Sequence, residues 1–207
     1  MALKIKKMGG KILTEHEVLK IHKKNNKIEN VSCLVKGKVK VFEGDYFISS
    51  MPIKYLISGM NNVEKNIKKI ALNLPYRDFI TVGLILNKIN LKNNTQIKTY
   101  NNLIPDCWIY VQGKEEKLGR IQVFNNWSPY LIDDINKVSL GLEYFCQEND
   151  SFWNKSEEEL RDFAVKELLN MQIISDKKDI LDYHVEKVKK AYPAYFDSYK
   201  NFPEVKE

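Results

Sequence analysis

An α+β fold, a β-meander followed by a mixed, mainly antiparallel sheet with packed helices, is the class this sequence predicts. Three observations carry the prediction. Residues 105–153 contain three extended runs rich in aromatic residues, at 107–112, 118–124 and 138–146, separated by polar loops. Strict alternation in the middle run puts Arg120, Gln122 and Phe124 on one face and Ile121 and Val123 on the other, the period-two signature of a sheet with one buried side. Downstream, Ser156-Glu157-Glu158-Glu159 matches a capping box and opens a helical stripe of Leu160, Phe163, Ala164, Leu168 and Met171.

The earlier elements follow in order. Met8-Gly9-Gly10-Lys11-Ile12-Leu13 reads as a turn leading into a strand. Residues 18–22 and 28–35 flank Lys24-Asn25-Asn26-Lys27, a hairpin whose Asn-Asn tip tolerates positive φ. A second turn at Gly37-Lys38 leads into residues 39–42 and completes a three-stranded meander. Residues 45–52, unbroken and apolar until Ser49, Ser50 and Pro52, read as a strand buried on both faces, as in a parallel sheet. Residues 53–74 carry helical spacing, with Val63, Ile67, Ile70 and Leu74 on one stripe and Asn61 or Asn62 as cap. Residues 76–87 turn extended, and 88–103 form a polar, Asn-rich surface excursion. After the helix, 180–188 reads as a final strand that Ala191-Tyr192-Pro193-Ala194-Tyr195 breaks.

Composition excludes several classes. With 43% apolar and 29% charged residues the chain is an ordinary globular sequence rather than a disordered one. Its longest apolar run, near 79–86, is far short of the roughly 20 residues a membrane span needs, and no apolar segment follows Lys4, Lys6 and Lys7 as a signal peptide requires. The cysteines, Cys33, Cys107 and Cys146, are odd in number and form no CxxC pair, which points to reduced thiols, a cytoplasmic location and no zinc. His16, His22 and His184 do not fall at metal-ligand spacing, so no metal is expected.

The net charge of +6 is unevenly placed: eleven lysines in the first forty residues face only Glu15, Glu17 and Glu29. These lysines alternate with apolar residues and read as the wet faces of strands. A nucleic-acid role for this part is disfavoured by poor aromatic interleaving and by a whole-chain arginine set of only Arg77, Arg120 and Arg161. No P-loop, GxSxG elbow, HExxH or full GxGxxG is present.

Several blocks occur in an order that resembles a known superfamily. Residues 17–21 with the meander, Gly44-Asp45-Tyr46-Phe47-Ile48-Ser49-Ser50-Met51-Pro52 and Leu74-Pro75-Tyr76-Arg77-Asp78-Phe79 resemble the middle of the flavin-containing amine oxidases and protoporphyrinogen oxidase-like proteins. Residues 105–111, 119–129, 141–146 and Ala191-Tyr192-Pro193-Ala194-Tyr195 are similar to the branch related to UDP-galactopyranose mutase. The resemblance implies a remnant of an FAD-binding domain at 1–52 and a substrate-binding domain at 53–207, an internal piece of a flavoenzyme that is either a fragment or a truncated gene product.

The resemblance also implies residue roles. Val18 stands where the family's main chain meets the adenine, and Ser49, Ser50, Met51 and Pro52 lie where the returning strand passes the cofactor. Tyr110 and Arg120 roof the flavin and hold a small-molecule substrate, anionic or a sugar nucleotide; an Arg120–Glu143 cross-strand ion pair is the plain alternative. The family's βαβ fingerprint, which cradles the FAD pyrophosphate, is missing, so FAD is expected in the full-length parent and weak or absent here. A ligand-binding module without flavin is the competing reading.

Overall fold

The computed structural model describes residues 1–194 and 197–206; Tyr195, which closes the Ala191–Tyr195 block, lies outside them. Two compact units are present, one built from Met1–Pro75 with the described part of 194–207, the other from Tyr76–Pro193. The class is α+β, and both sheets are antiparallel throughout.

In the first unit the meander forms as expected: β1 (Glu17–Lys24), β2 (Lys27–Val35) and β3 (Lys38–Glu43) lie in that order. Asn25 (φ 48°) and Asn26 (φ 59°) make the first tight turn, and Lys36 (φ 47°) and Gly37 (φ 77°) make the second, the two-residue geometry that matches strand twist.

Three expectations fail in this unit. The Gly9-Gly10 pair does not lead into a strand. Instead it ends a helix, α1 (Ala2–Lys7): Gly10 N–H donates to Ile5 O at 2.9 Å and Gly9 N–H to Lys6 O at 3.0 Å. With Gly9 at φ 84°, this is the left-handed glycine stop that satisfies the last carbonyls of a helix. Residues 45–52 form no strand, and Tyr46 and Ile48 are almost fully exposed; no strand of the described residues lies beside them to supply the missing hydrogen bonds. The single helix read over 53–74 is two, α2 (Ile53–Gly59) and α3 (Lys65–Leu72). The break is held from β1: Asn61 accepts the Lys23 N–H at 2.6 Å and donates to the Lys23 carbonyl at 3.1 Å, while Met60 bridges Ile21. Neither Asn61 nor Asn62 caps α3; Glu64 occupies that position.

The second unit is a five-stranded sheet, β5-β6-β7-β4-β8, from β4 (Tyr76–Leu86), β5 (Trp108–Tyr110), β6 (Arg120–Val123), β7 (Val138–Cys146) and β8 (Ile180–Pro193). Thus the three aromatic runs lie side by side in one sheet. β5 and β6 are shorter than expected, and Phe124 leaves the sheet to begin a helical turn, α4 (Phe124–Trp127). One face of the sheet, with Ile80, Val82, Leu84, Ile121, Leu140, Leu142 and Tyr144, builds the core against α5 (Glu157–Asn170). The capping box is formed in full, Ser156 Oγ accepting the Glu159 N–H and Glu159 accepting the Ser156 N–H. Leu160, Ala164 and Leu168 are completely buried.

Cys146 belongs to this core, where burial first, then the charge of Asp150, pushes its thiol up to about 11, as suits a packing residue. Glu167, which the apolar stripe gave no reason to single out, is buried and accepts the Lys117 N–H at 2.6 Å, fixing the loop that feeds β6.

The Ala191–Tyr195 block does not break the last strand, which runs on through Pro193. A bulge absorbs the irregularity: pairing to β4 shifts register between Phe79↔Val188 and Arg77↔Tyr192, and Lys190 takes φ 53°. Among the described residues no helix is long and apolar enough to cross a membrane, and no group of three His, Cys, Asp or Glu side chains is placed to hold a metal ion.

Candidate functional site

The sheet face opposite α5 holds the residues with binding chemistry. Register determines which of them meet: Tyr110 pairs Arg120, Arg120 pairs Glu143, and Glu143 pairs Thr81, a row crossing four strands. In the neighbouring row Trp108 pairs Gln122, which pairs Gly141. Strand alternation therefore delivers Trp108, Tyr110, Arg120, Gln122, Glu143 and Phe145 to one surface.

Arg120 is 9% exposed and Glu143 2%, so their pairing takes place out of water. The Arg120 Nε–H donates to Glu143 Oε2 at 2.6 Å, and the Nη2 group closes an ion pair on the same oxygen. Gln122 Nε2 donates to the other carboxylate oxygen, Oε1. Arg120 Nη2 also donates to the Tyr192 hydroxyl at 3.0 Å. Four rings surround the guanidinium, with centroids at 5.2 Å (Trp108), 5.3 Å (Phe145), 5.5 Å (Tyr192) and 5.9 Å (Tyr110). Burial works against the charged form, but hydrogen bonds with Tyr192, Tyr110 and Glu143, and the Glu143 charge, outweigh it and hold Arg120 firmly protonated.

The cage opens outward. Trp108 and Tyr110 are 40% and 63% exposed, and Trp127 from α4 meets Trp108 edge to face at 5.1 Å. α4 is fastened by carboxamides: Asn125 donates to Lys137 O and accepts the Ser139 N–H, and Asn126 donates to Ile104 O and Asp106 O. The result is a rigid notch of two indole rings beside a buried cation whose charge Glu143 already neutralises. Such a surface can stack a ring and exchange neutral hydrogen bonds.

Arg120 and Tyr110, singled out by sequence, thus stand together, and the cross-strand pair to Glu143 is present as well. Tyr192 and Trp127 were missed. Tyr192 lies in the block read as a strand break, so no period-two signal assigned it a face; Trp127 follows the strand end, where alternation stops.

The residues assigned to a cofactor lie in the first unit. Val18 is 40% exposed on β1, an edge strand of the meander. Ser49 and Ser50 are exposed, Met51 is half-buried with its N–H directed to Ser49 Oγ at 3.4 Å, and Pro52 is the residue that precedes α2. These positions offer main chain and small hydroxyls. They supply no glycine-rich turn at a helix N-terminus of the kind that cradles a phosphate, and Gly9-Gly10 ends a helix instead of starting one. By themselves these residues do not fit the pyrophosphate of FAD.

No protein family and no curated protein matches the sequence. Solved structures do match in fold. A reduced UDP-galactopyranose mutase superimposes with a TM-score of 0.68 at 17% identity, over 96% of this chain and 40% of the mutase. A protein described as a protoporphyrinogen oxidase from Exiguobacterium sp. 255-15 gives 0.55 at 13%, over 87% and 35%. A redesigned putrescine oxidase gives 0.55 at 13%, over 91% and 39%. The chain therefore has the fold of these proteins and spans about two fifths of their length or less.

Proposed function

We propose that this chain is the substrate-binding portion of an FAD-dependent oxidoreductase or flavin-dependent sugar mutase, and that it is not catalytic by itself. The observation that supports this reading is the buried Arg120–Glu143 pair under four rings, on a sheet face whose outer rings stay open to solvent. On this reading residues 1–52, with Val18, Ser49, Ser50, Met51 and Pro52 nearest the cofactor, form the flavin side, and residues 53–207 shape the substrate cavity. The flavin, bound in a longer chain, supplies the electron chemistry. Tyr110 and Trp108 stack the substrate, while Arg120, fixed by Glu143, fixes the Tyr192 hydroxyl in turn. Because Glu143 cancels the Arg120 charge, ring stacking and neutral hydrogen bonds dominate, which suits the base or sugar ring of a nucleotide sugar rather than an isolated carboxylate.

Tryptophan fluorescence tests the reading on the chain itself. UDP-galactose is expected to quench emission saturably, and Trp108→Phe combined with Trp127→Phe to remove most of that response, since the remaining tryptophan, Trp153, lies in the core. Absence of any change at millimolar nucleotide sugar would remove the face as a substrate site. A separate measurement bears on the cofactor: equilibrium dialysis should show weak or no FAD retention, and tight stoichiometric binding would overturn the non-catalytic part of the proposal.

A further inference from the structure

A second cleft, of about 450 Å³, lies at the end of the sheet where β4 leaves and β7 begins. Along β7 it is roughly 17 Å from Glu143, at about 3.4 Å per residue. Its floor is apolar, with Leu103 and Val138 buried and Ile89 and Leu91 half-buried. Asn87, Asn101, Asn102 and Asn136 form the rim together with Lys88 and Lys92, and no carboxylate lines it.

The walls are built, although the sequence here reads only as an Asn-rich excursion. Lys92 pairs with Leu103 as a β-bridge, and Asn93 N–H donates to Asn102 O at 3.2 Å. Asn101 donates to Ile135 O at 2.7 Å, Asn90 to Gln172 O at 2.8 Å, and Asn87 Oδ1 accepts from Lys137 Nζ at 2.8 Å. Asn101 and Asn102 both adopt left-handed backbone, φ 52° and 53°, a conformation that costs energy and is held by these bonds. Among the described residues Lys88 and Lys92 enter no ion pair, and the side chains of Asn102 and Asn136 make no hydrogen bond.

We propose that this cleft binds a small phosphorylated polyol of the sugar phosphate class. Two unpaired ammonium groups meet the phosphate as point charges. Carboxamides, each carrying donors and an acceptor, match vicinal hydroxyl groups, and the apolar floor meets the C–H face of the ring. The volume falls inside the roughly 300–1,000 Å³ usual for small-molecule sites.

Titration of ¹⁵N-labelled chain with glucose 6-phosphate at low salt tests it, with glucose and inorganic phosphate as separate arms. Amide shifts should be confined to residues 87–92, 101–103 and 136–138 and should weaken as salt is added. Glucose or phosphate alone should bind at least about tenfold more weakly. The double variant Lys88→Glu with Lys92→Glu should lose at least about tenfold in affinity, the rest of its spectrum unchanged. Asn136→Ala, at a rim position outside the left-handed backbone, should weaken glucose 6-phosphate while leaving the phosphate response alone. Absent shifts, shifts spread over lysines of the whole chain, inorganic phosphate binding as tightly as the sugar phosphate, or indifference to the lysine reversals would overturn the proposal. Arg120 stays intact in each variant, so the outcome is independent of the reading of the open face.

Discussion

Replacing Arg120 by alanine is expected to lower folding stability by about 3 kcal/mol, read as a drop in the urea midpoint at unchanged slope. The variant leaves the Glu143 carboxylate, 2% exposed, with only Gln122 as a side-chain partner among the described residues. Removing one member of a buried pair costs far more than the pair's net worth, because the remaining charge stays desolvated. Four rings also lose the cation they surround. Glu143→Gln in the same background should recover part of the loss, giving a coupling of about 1–3 kcal/mol in the double-mutant cycle. A loss below about 1 kcal/mol would mean that water reaches the pair.

Arg120→Lys separates structure from binding. Lysine keeps the charge but cannot reach Glu143 and the Tyr192 hydroxyl at once with a planar fork. Most of the stability should remain while the UDP-galactose response weakens. A large stability loss in Arg120→Ala combined with an unchanged response in Arg120→Lys would leave Arg120 as a structural residue only.

What the sequence made legible follows from where local patterns are strong. The capping box at Ser156 and the alternation within 118–124 depend on neighbours in sequence; the first appears as read, and the second holds over Arg120–Val123, with Phe124 already in the helical turn that follows. The hairpin at Asn25-Asn26 does as well, since asparagine tolerates the backbone that the turn demands. Failures occur where a residue's role is decided from afar. Gly9-Gly10 serves as a helix stop because Ile5 and Lys6 carbonyls need donors; a glycine pair alone does not say which side the helix lies on. Residues 45–52 have the composition of a buried strand, but a strand requires a partner. The site shows the same division: Arg120 was visible on its strand face and Tyr110 through the family resemblance, whereas Tyr192 reaches Arg120 where a bulge re-aims β8.

That bulge hangs on Asp78, and Asp78→Ala is expected to cost about 2 kcal/mol, since two part-buried N–H groups lose their acceptor, each at the lower end of the roughly 1–3 kcal/mol that a fully buried group would cost. Asp78 is buried on β4; Oδ2 accepts the Glu148 N–H at 2.8 Å and Oδ1 accepts the Lys190 N–H at 2.6 Å. The second bond holds Lys190 at φ 53°, a conformation a non-glycine residue adopts only under constraint. Without it the last residues of β8 are free to relax toward regular pairing, and a one-residue slip turns each side chain to the opposite face. Tyr192 would then leave Arg120, so Asp78→Ala should also weaken the UDP-galactose response despite lying outside the cage. Asp78→Asn, which retains one acceptor, should fall between alanine and the parent in both measurements. Amide hydrogen exchange at Glu148 and Lys190 should accelerate in the alanine variant; exchange unchanged at both positions, with a stability loss under about 1 kcal/mol, would show that the bulge is held by other contacts.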